Sequence, residues 1–198
     1  MKKIFCFVIF FLFTLSSYGE EQRGASIQPD NLFPIVELQT TAGKIKVELD
    51  RLRAPITTNN FLYYVVNGSY NGTIFHRVEK DFVVQGGGYD KKFKERKKES
   101  PIFNESGNGL KNEMFTIAMA REKDPHSAMR QFYFNLADND GLDPGKTWGY
   151  AVFGLVSEGE EVLELIASTP VHTDPTYNWE NVPVKPILLN KALLLKAE

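Results

Sequence analysis

The part of this sequence densest in groups able to bind or polarise a ligand is Phe75-His76-Arg77-Val78, followed at short spacing by Phe82-Val83 and by Gln85-Gly86-Gly87-Gly88. Arg77 brings a planar, permanently charged fork of donors, which suits stabilisation of charge or a lone pair that develops during a reaction. An arginine in a half-buried strand serves equally as one half of a structural ion pair. On residue type alone the two roles stand level. Other chemistries lack their residues: the one cysteine, Cys6, lies inside an N-terminal apolar run, and there is no Gly-x-Ser-x-Gly elbow, phosphate loop or His-Glu-x-x-His pair. His76, His126 and His172 stand far apart without ligand-like spacing, so no metal is expected. His76, set among apolar neighbours, reads as a hydrogen-bonded core residue rather than a base.

Groups spread from Phe75 to Gly88 need rigid strands to hold them, and much of the chain reads as a supply of strands. Ile35 to Gln39 and Ile45 to Leu49 alternate in part and are joined by Thr40-Thr41-Ala42-Gly43, a hairpin signature. Thr57 or Thr58 is placed to cap a helix with Phe61, Leu62, Val65 and Val66 at helical spacing, ending near Asn67-Gly68. Short runs at Thr73 to Val78, Phe82 to Gln85, Phe115 to Met119, Gln131 to Leu136 and Tyr150 to Val156 are separated by turn residues. That spacing predicts an all-β barrel or sandwich. Glu160 to Ser168 predicts a second helix and Ile187 to Leu195 a last strand, so that two helices are available to plug the ends of a closed barrel. The basic run Lys91 to Lys98, KKFKERKK, reads as a solvated loop without assigned function.

A formal net charge of -2 gives no basic face, so nucleic acid is not an expected partner. Met1-Lys2-Lys3 followed by the apolar run Ile4 to Leu15 has the layout of a secretory signal, with Ser17 and Gly19 at the cleavage positions. Residues 1–19 are therefore expected to be removed after export to the periplasm, leaving no stable membrane insertion. The segment from Glu20 to Leu32 is polar and aperiodic and is expected to be a flexible tether. The folded domain is placed at 33–198. It has no cysteine, which suits an oxidising compartment.

The Phe75 to Gly88 segment is joined downstream by Ile117-Ala118-Met119-Ala120, Gln131-Phe132-Tyr133-Phe134-Asn135, Gly141-Leu142-Asp143 and Tyr150-Ala151-Val152-Phe153-Gly154. In this order and at these spacings the chain resembles the cyclophilin family of peptidyl-prolyl cis/trans isomerases, and most of all the periplasmic cyclophilins of Gram-negative bacteria. The resemblance runs from about Phe33 to the C-terminus. It implies a mainly β fold, a closed eight-stranded antiparallel β-barrel capped by two α-helices, with no cofactor.

It also implies roles. Rotation about a peptide bond faces a barrier of about 18–20 kcal/mol because amide resonance must be broken. A catalyst needs a pocket for the proline ring and a donor that favours the twisted state, in which the imide nitrogen accepts a hydrogen bond. By resemblance Arg77 is that donor and the catalytic residue. Phe82, Val83, Tyr133, Leu142 and Tyr150 belong to the proline pocket, and Gln85 and Gln131 supply polar contacts. Ala120, Arg121 and Glu122 line the peptide groove and offer backbone hydrogen bonds to residues before the proline. Taken singly, the apolar members would be read as core. The chain departs from the best-known family pattern at Ala120-Arg121-Glu122, at Tyr133 in place of Phe, at Tyr150 in place of His, and at Gly141 where an aromatic residue walls the pocket. The expected partners are unfolded or partly folded Pro-containing polypeptides, handled by a monomer. The alternative is a chaperone or Pro-peptide-binding module with little catalysis.

Overall fold

The computed structural model describes residues 22–197; the leader expected over 1–19 lies outside the described residues. β1 (Ile35–Thr40) and β2 (Lys44–Leu49) form the expected hairpin. Alternation places Val36, Leu38, Ile45, Val47 and Leu49 on one face, where all five are fully buried. The Thr40 hydroxyl holds the turn by accepting from the Ala42 and Gly43 N–H groups, each at 3.0 Å.

The remaining barrel strands are β3 (Thr73–Glu79), β4 (Val83–Asp90), β5 (Thr116–Met119), β6 (Phe132–Asn135), β7 (Val152–Glu158) and β10 (Ile187–Leu194). They close in the order β1-β10-β3-β4-β6-β5-β7-β2, every neighbouring pair antiparallel. Closure removes the sheet's free edges. α1 (Pro55–Val66) contributes Phe61, Leu62 and Val65 to the barrel core, and α2 (Glu160–Ala167) contributes Val162, Leu163 and Ile166. The Phe61 ring stands edge-on to Phe132 at 5.4 Å and lies 5.2 Å from Phe153, so α1 reaches the barrel's aromatic centre.

Three features differ from the sequence expectation. α1 starts at Pro55, and neither Thr57 nor Thr58 caps it. The cap comes from far along the chain: the Glu105 carboxylate accepts from the N–H groups of Ile56 and Thr57 at 3.1 and 2.8 Å and from the Thr57 hydroxyl at 2.7 Å. A carboxylate there answers both the orphan donors and the positive end of the helix dipole. A further hairpin, β8 (Val171–Asp174) with β9 (Trp179–Pro183), forms a separate two-stranded sheet that the sequence reading left without an element. Finally, residues 22–32 run as turns against the domain rather than as a tether. The buried Arg51 guanidinium donates to the carbonyls of Ile27 at 2.7 Å, Asn31 at 2.8 Å and Gln28, and Gln28 Nε2 donates to the Leu195 carbonyl at 2.7 Å. This polar segment is held by its main chain, which leaves no apolar pattern to detect.

Candidate active site

The strands β4, β6, β5 and β7 carry apolar side chains on both faces. Their inward positions, including Val84, Phe132, Phe134, Ile117, Met119 and Phe153, belong to the main core. Their outward positions Val83, Tyr133, Ala118 and Val152 are also buried and form a second, separate cluster, ringed by the half-buried Phe82, Leu110, Ala120, Leu142 and Tyr150. Because strand side chains alternate with period two, the outward set cannot serve the barrel interior. It builds an apolar cluster on the barrel's outer wall instead.

The rim of that cluster is polar. Arg77 in β3 is paired in register with Gln85 in β4, and Gln85 with Tyr133 in β6. Gln85 Nε2 donates to Gln131 Oε1 at 2.9 Å. The glycines after Gln85 make room for this: a Cβ on Gly88 would fall 2.7 Å from the Gln131 side chain, and Gly87, at φ 84°, lies against the Phe132 ring. Asp81, also at positive φ (59°), turns the chain so that Phe82 faces Arg77. The Arg77 guanidinium carbon sits 5.5 Å from the centre of the Phe82 ring. Arg77 is also ion-paired with Glu79, two residues along the same strand face, and both side chains stay partly open, at 33% and 40% exposure. The arginine thus has a structural partner and stays open to solvent beside the apolar cluster.

Tyr133 finds the partner its hydroxyl requires. It donates to Asn112 Oδ1 at 2.7 Å, and burial pushes the phenol pKa well up, keeping it protonated. Asn112 donates through its N–H and its side-chain amide to Asp143 Oδ1 at 2.8 and 3.0 Å, and Lys111 Nζ lies 3.1 Å from Asp143 Oδ2. Burial pushes the Asp143 carboxyl up, but the Asn112 hydrogen bonds and Lys111 outweigh it and leave the pKa below its ordinary value. Asn139 ties the pocket's front edge, donating to the Phe82 carbonyl at 2.9 Å and to Asn135 Oδ1 at 2.7 Å. Leu142 is delivered by a short 3-10 turn, Asp140–Leu142, and its carbonyl accepts from Tyr150 N–H at 2.8 Å. Asn112 and Asn139 go unnamed in the sequence reading, where they are single polar residues in aperiodic loops, and Asp143 stands there only as the end of the Gly141-Leu142-Asp143 motif, without a role.

Ala120, Arg121 and Glu122 lie beside Gln85 and Gln131 along one groove. Ala120 and Glu122 already spend their N–H groups, on the Gln131 carbonyl and the Ser127 hydroxyl, both at 2.9 Å, so those two donors are not free for a peptide. Arg121 does more than line a rim. Its guanidinium carbon lies 4.4 Å from the Tyr150 ring centre while Nη2 donates to the Trp148 carbonyl at 2.8 Å. Gly141 faces open space, with no atom within 4 Å of where a Cβ would stand. Trp148 does not fill that space; its ring stands edge-on to His126 at 5.0 Å and to Phe103 at 5.6 Å. His76 is a core residue but not the hydrogen-bonded one expected. Its ring meets Tyr89 edge-on at 4.9 Å, and its buried Nδ1 has no partner. Burial, aided by Arg77, holds the imidazole pKa down to about 4.

Comparison with known proteins identifies the family. A family model described as cyclophilin type peptidyl-prolyl cis-trans isomerase/CLD matches residues 35–192. The chain is 48% identical over 164 residues to the peptidyl-prolyl cis-trans isomerase cyp18 of Streptomyces antibioticus, covering 81% of this chain and 98% of that protein. It is 46% identical over 162 residues to peptidyl-prolyl cis-trans isomerase A of Dickeya dadantii, covering 81% and 84%. The crystal structure of a cyclophilin-type isomerase from Cryptosporidium parvum superposes with a TM-score of 0.65 at 25% identity, covering 84% of this chain and 99% of that one. Barrel fold, family match and relatives agree, and the chain belongs to the cyclophilin family as a peptidyl-prolyl cis-trans isomerase.

Proposed function

We propose that Arg77 is the catalytic residue and that the outer-wall pocket of Phe82, Val83, Tyr133, Leu142 and Tyr150 receives the proline ring. The observation that carries this is the guanidinium held over Phe82 at the edge of an outer-wall apolar cluster that the barrel core does not use. A proline seated there brings its imide nitrogen toward the guanidinium. When the bond twists, the nitrogen loses its resonance and gains a lone pair, and an N–H of Arg77 donates to it. The planar cis and trans states offer no such acceptor, so the interaction favours the twisted state and lowers the barrier. No covalent intermediate is required, because no bond is cleaved. Gln85 and Gln131, bonded to each other, present further amide donors and acceptors to the peptide backbone.

The proposed clients are proteins folding outside the cytoplasm, where slow X-Pro isomerisation limits folding; the Lys-led apolar run at the N-terminus and a cysteine-free remainder support that location. The test of the chemistry is exchange NMR on an X-Pro peptide. Arg77→Ala is expected to lose about 100-fold or more in kcat/KM while keeping its circular-dichroism spectrum, and Arg77→Lys to recover little, since lysine keeps the charge and loses the fork. A native rate in Arg77→Lys would refute the geometric role. Gly141 supports a second reading, a binding module, because it leaves one side of the pocket without a wall; bound peptide with no exchange enhancement would favour that reading.

A further inference from the structure

The β8–β9 hairpin gives the site a second arm. Between it and the barrel lies a groove of about 520 Å³ that shares Arg77, Gln85 and Gln131 with the active site. We propose that this groove is a subsite for a basic side chain, lysine or arginine, carried by the substrate shortly after the proline. The inference rests on the placement of the proline beside Arg77.

The groove's walls have the chemistry of a cation site. Tyr89 and Trp179 line it with ring centres 4.8 Å apart, and His76 extends the aromatic surface from below. Aromatic faces attract ammonium and guanidinium groups. Phe93 and Tyr177, at 5.9 and 5.1 Å from the Trp179 ring, hold that indole in place. Phe93 lies in the middle of the basic run Lys91 to Lys98, so that run has a structural duty after all.

Charge points the same way. Of the ionised groups lining the groove, Arg77 and Glu79 neutralise each other as an ion pair. That leaves Glu180, which among the described residues has no basic side chain within ion-pair distance. The groove therefore offers an aromatic wall and one unspent carboxylate. His76 adds no opposing charge near neutral pH, its imidazole being held neutral by burial. The two asparagines in the lining, Asn178 and Asn181, supply amide oxygens that accept from an ammonium. A carboxylate side chain would meet Glu180 and be repelled; an aliphatic one would gain only contact.

The side of the proline follows from the other groove. Ala120, Arg121 and Glu122 line a channel beside Gln131, where the residues before the proline are placed by the family resemblance. The chain leaving the proline past Arg77 then runs toward Glu79 and Glu180.

The test uses the full protein at low ionic strength and peptides that differ only at the second position after proline: lysine, norleucine or glutamate. By exchange NMR, kcat/KM for the lysine peptide is expected to exceed that of the norleucine peptide by about three- to fivefold, the range of a partly exposed charge pair, with glutamate lowest. Glu180→Gln is expected to bring the lysine peptide down to the norleucine value, and added salt to shrink the advantage. Glu180 is exposed, so this exchange does not threaten the fold. Equal rates for lysine and norleucine overturn the proposal, as does an advantage that persists in Glu180→Gln or that is as large with lysine before the proline. A preference for glutamate would assign the groove to anions through Arg77 and overturn it too. Arg77→Ala on the norleucine peptide tests the catalytic assignment alone, so failure of one reading leaves the other measurable.

Discussion

A histidine whose Nδ1 has no hydrogen-bond partner sits beside the proposed catalytic arginine, and its burial has a measurable signature. The folded protein holds the His76 pKa at about 4 against an ordinary value of 6.5. The unfolded chain therefore takes up this proton first as pH falls. Stability tied to neutral His76 is complete above about 6.5 and is lost as pH falls toward 4. Between pH 7.5 and 4.5 this amounts to about 2–3 kcal/mol. Urea unfolding at the two pH values, compared between native protein and His76→Phe, should show that difference in the native protein only; parallel losses would contradict the burial account. Gly141 makes a second residue-level prediction. By the family resemblance Gly141 stands where cyclosporin-sensitive cyclophilins offer the drug an indole wall and N–H, whereas here the space is open and Trp148 is engaged by His126 and Phe103. One lost hydrogen bond costs about 0.5–1.5 kcal/mol, and the missing aromatic contact adds to it. Calorimetric titration should find weak cyclosporin binding that Gly141→Trp strengthens at least about tenfold. Tight native binding abolished by Trp148→Ala would mean that Trp148 swings into the gap.

Among the elements, α1 depends on a residue 48 positions away for its first turn. Glu105→Ala leaves the Ile56 and Thr57 donors without their carboxylate and is expected to cost about 1–2 kcal/mol in urea unfolding. The loss should leave X-Pro exchange by the folded protein within about twofold, because Glu105 does not reach the pocket; a change confined to activity would contradict its structural role. The same helix shows which features the sequence could reveal. The barrel strands and both helices announce themselves through period-two and helical spacing of residues such as Val36, Leu38, Phe61 and Leu163. The β8–β9 hairpin does not. Val171, His172 and Thr173 are exposed, and Asn178 and Asn181 take left-handed conformations that break any alternation. What anchors the hairpin is Trp179 against Tyr89, a contact between residues 90 apart that no local pattern encodes. The candidate site was legible in a different way. Residue pattern alone marks Phe82, Tyr133 and Leu142 as core, and only the family resemblance of whole motifs makes them pocket candidates. The polar support of that pocket, from Asn112 to Asp143, is carried by long-range hydrogen bonds and left no trace in periodicity.

The whole molecule is a barrel with a core inside and a smaller apolar cluster outside, both fed by the same strands. One feature of its closure governs time as well as shape. β1 is clasped between β2, which follows it directly, and β10, nearly the last segment of the chain; Val36 faces Val47 on one side and Leu194 on the other. A chain appearing N-terminus first can form the opening hairpin at once, yet one edge of that hairpin stays bare until Ile187–Leu194 arrives. Pairings this distant in sequence form slowly, and a bare strand edge invites association with other chains. The enzyme therefore cannot mature piecemeal. It passes through a vulnerable interval as an unfinished sheet, which ends when Ile187–Leu194 pairs with β1 and β3 and closes the barrel.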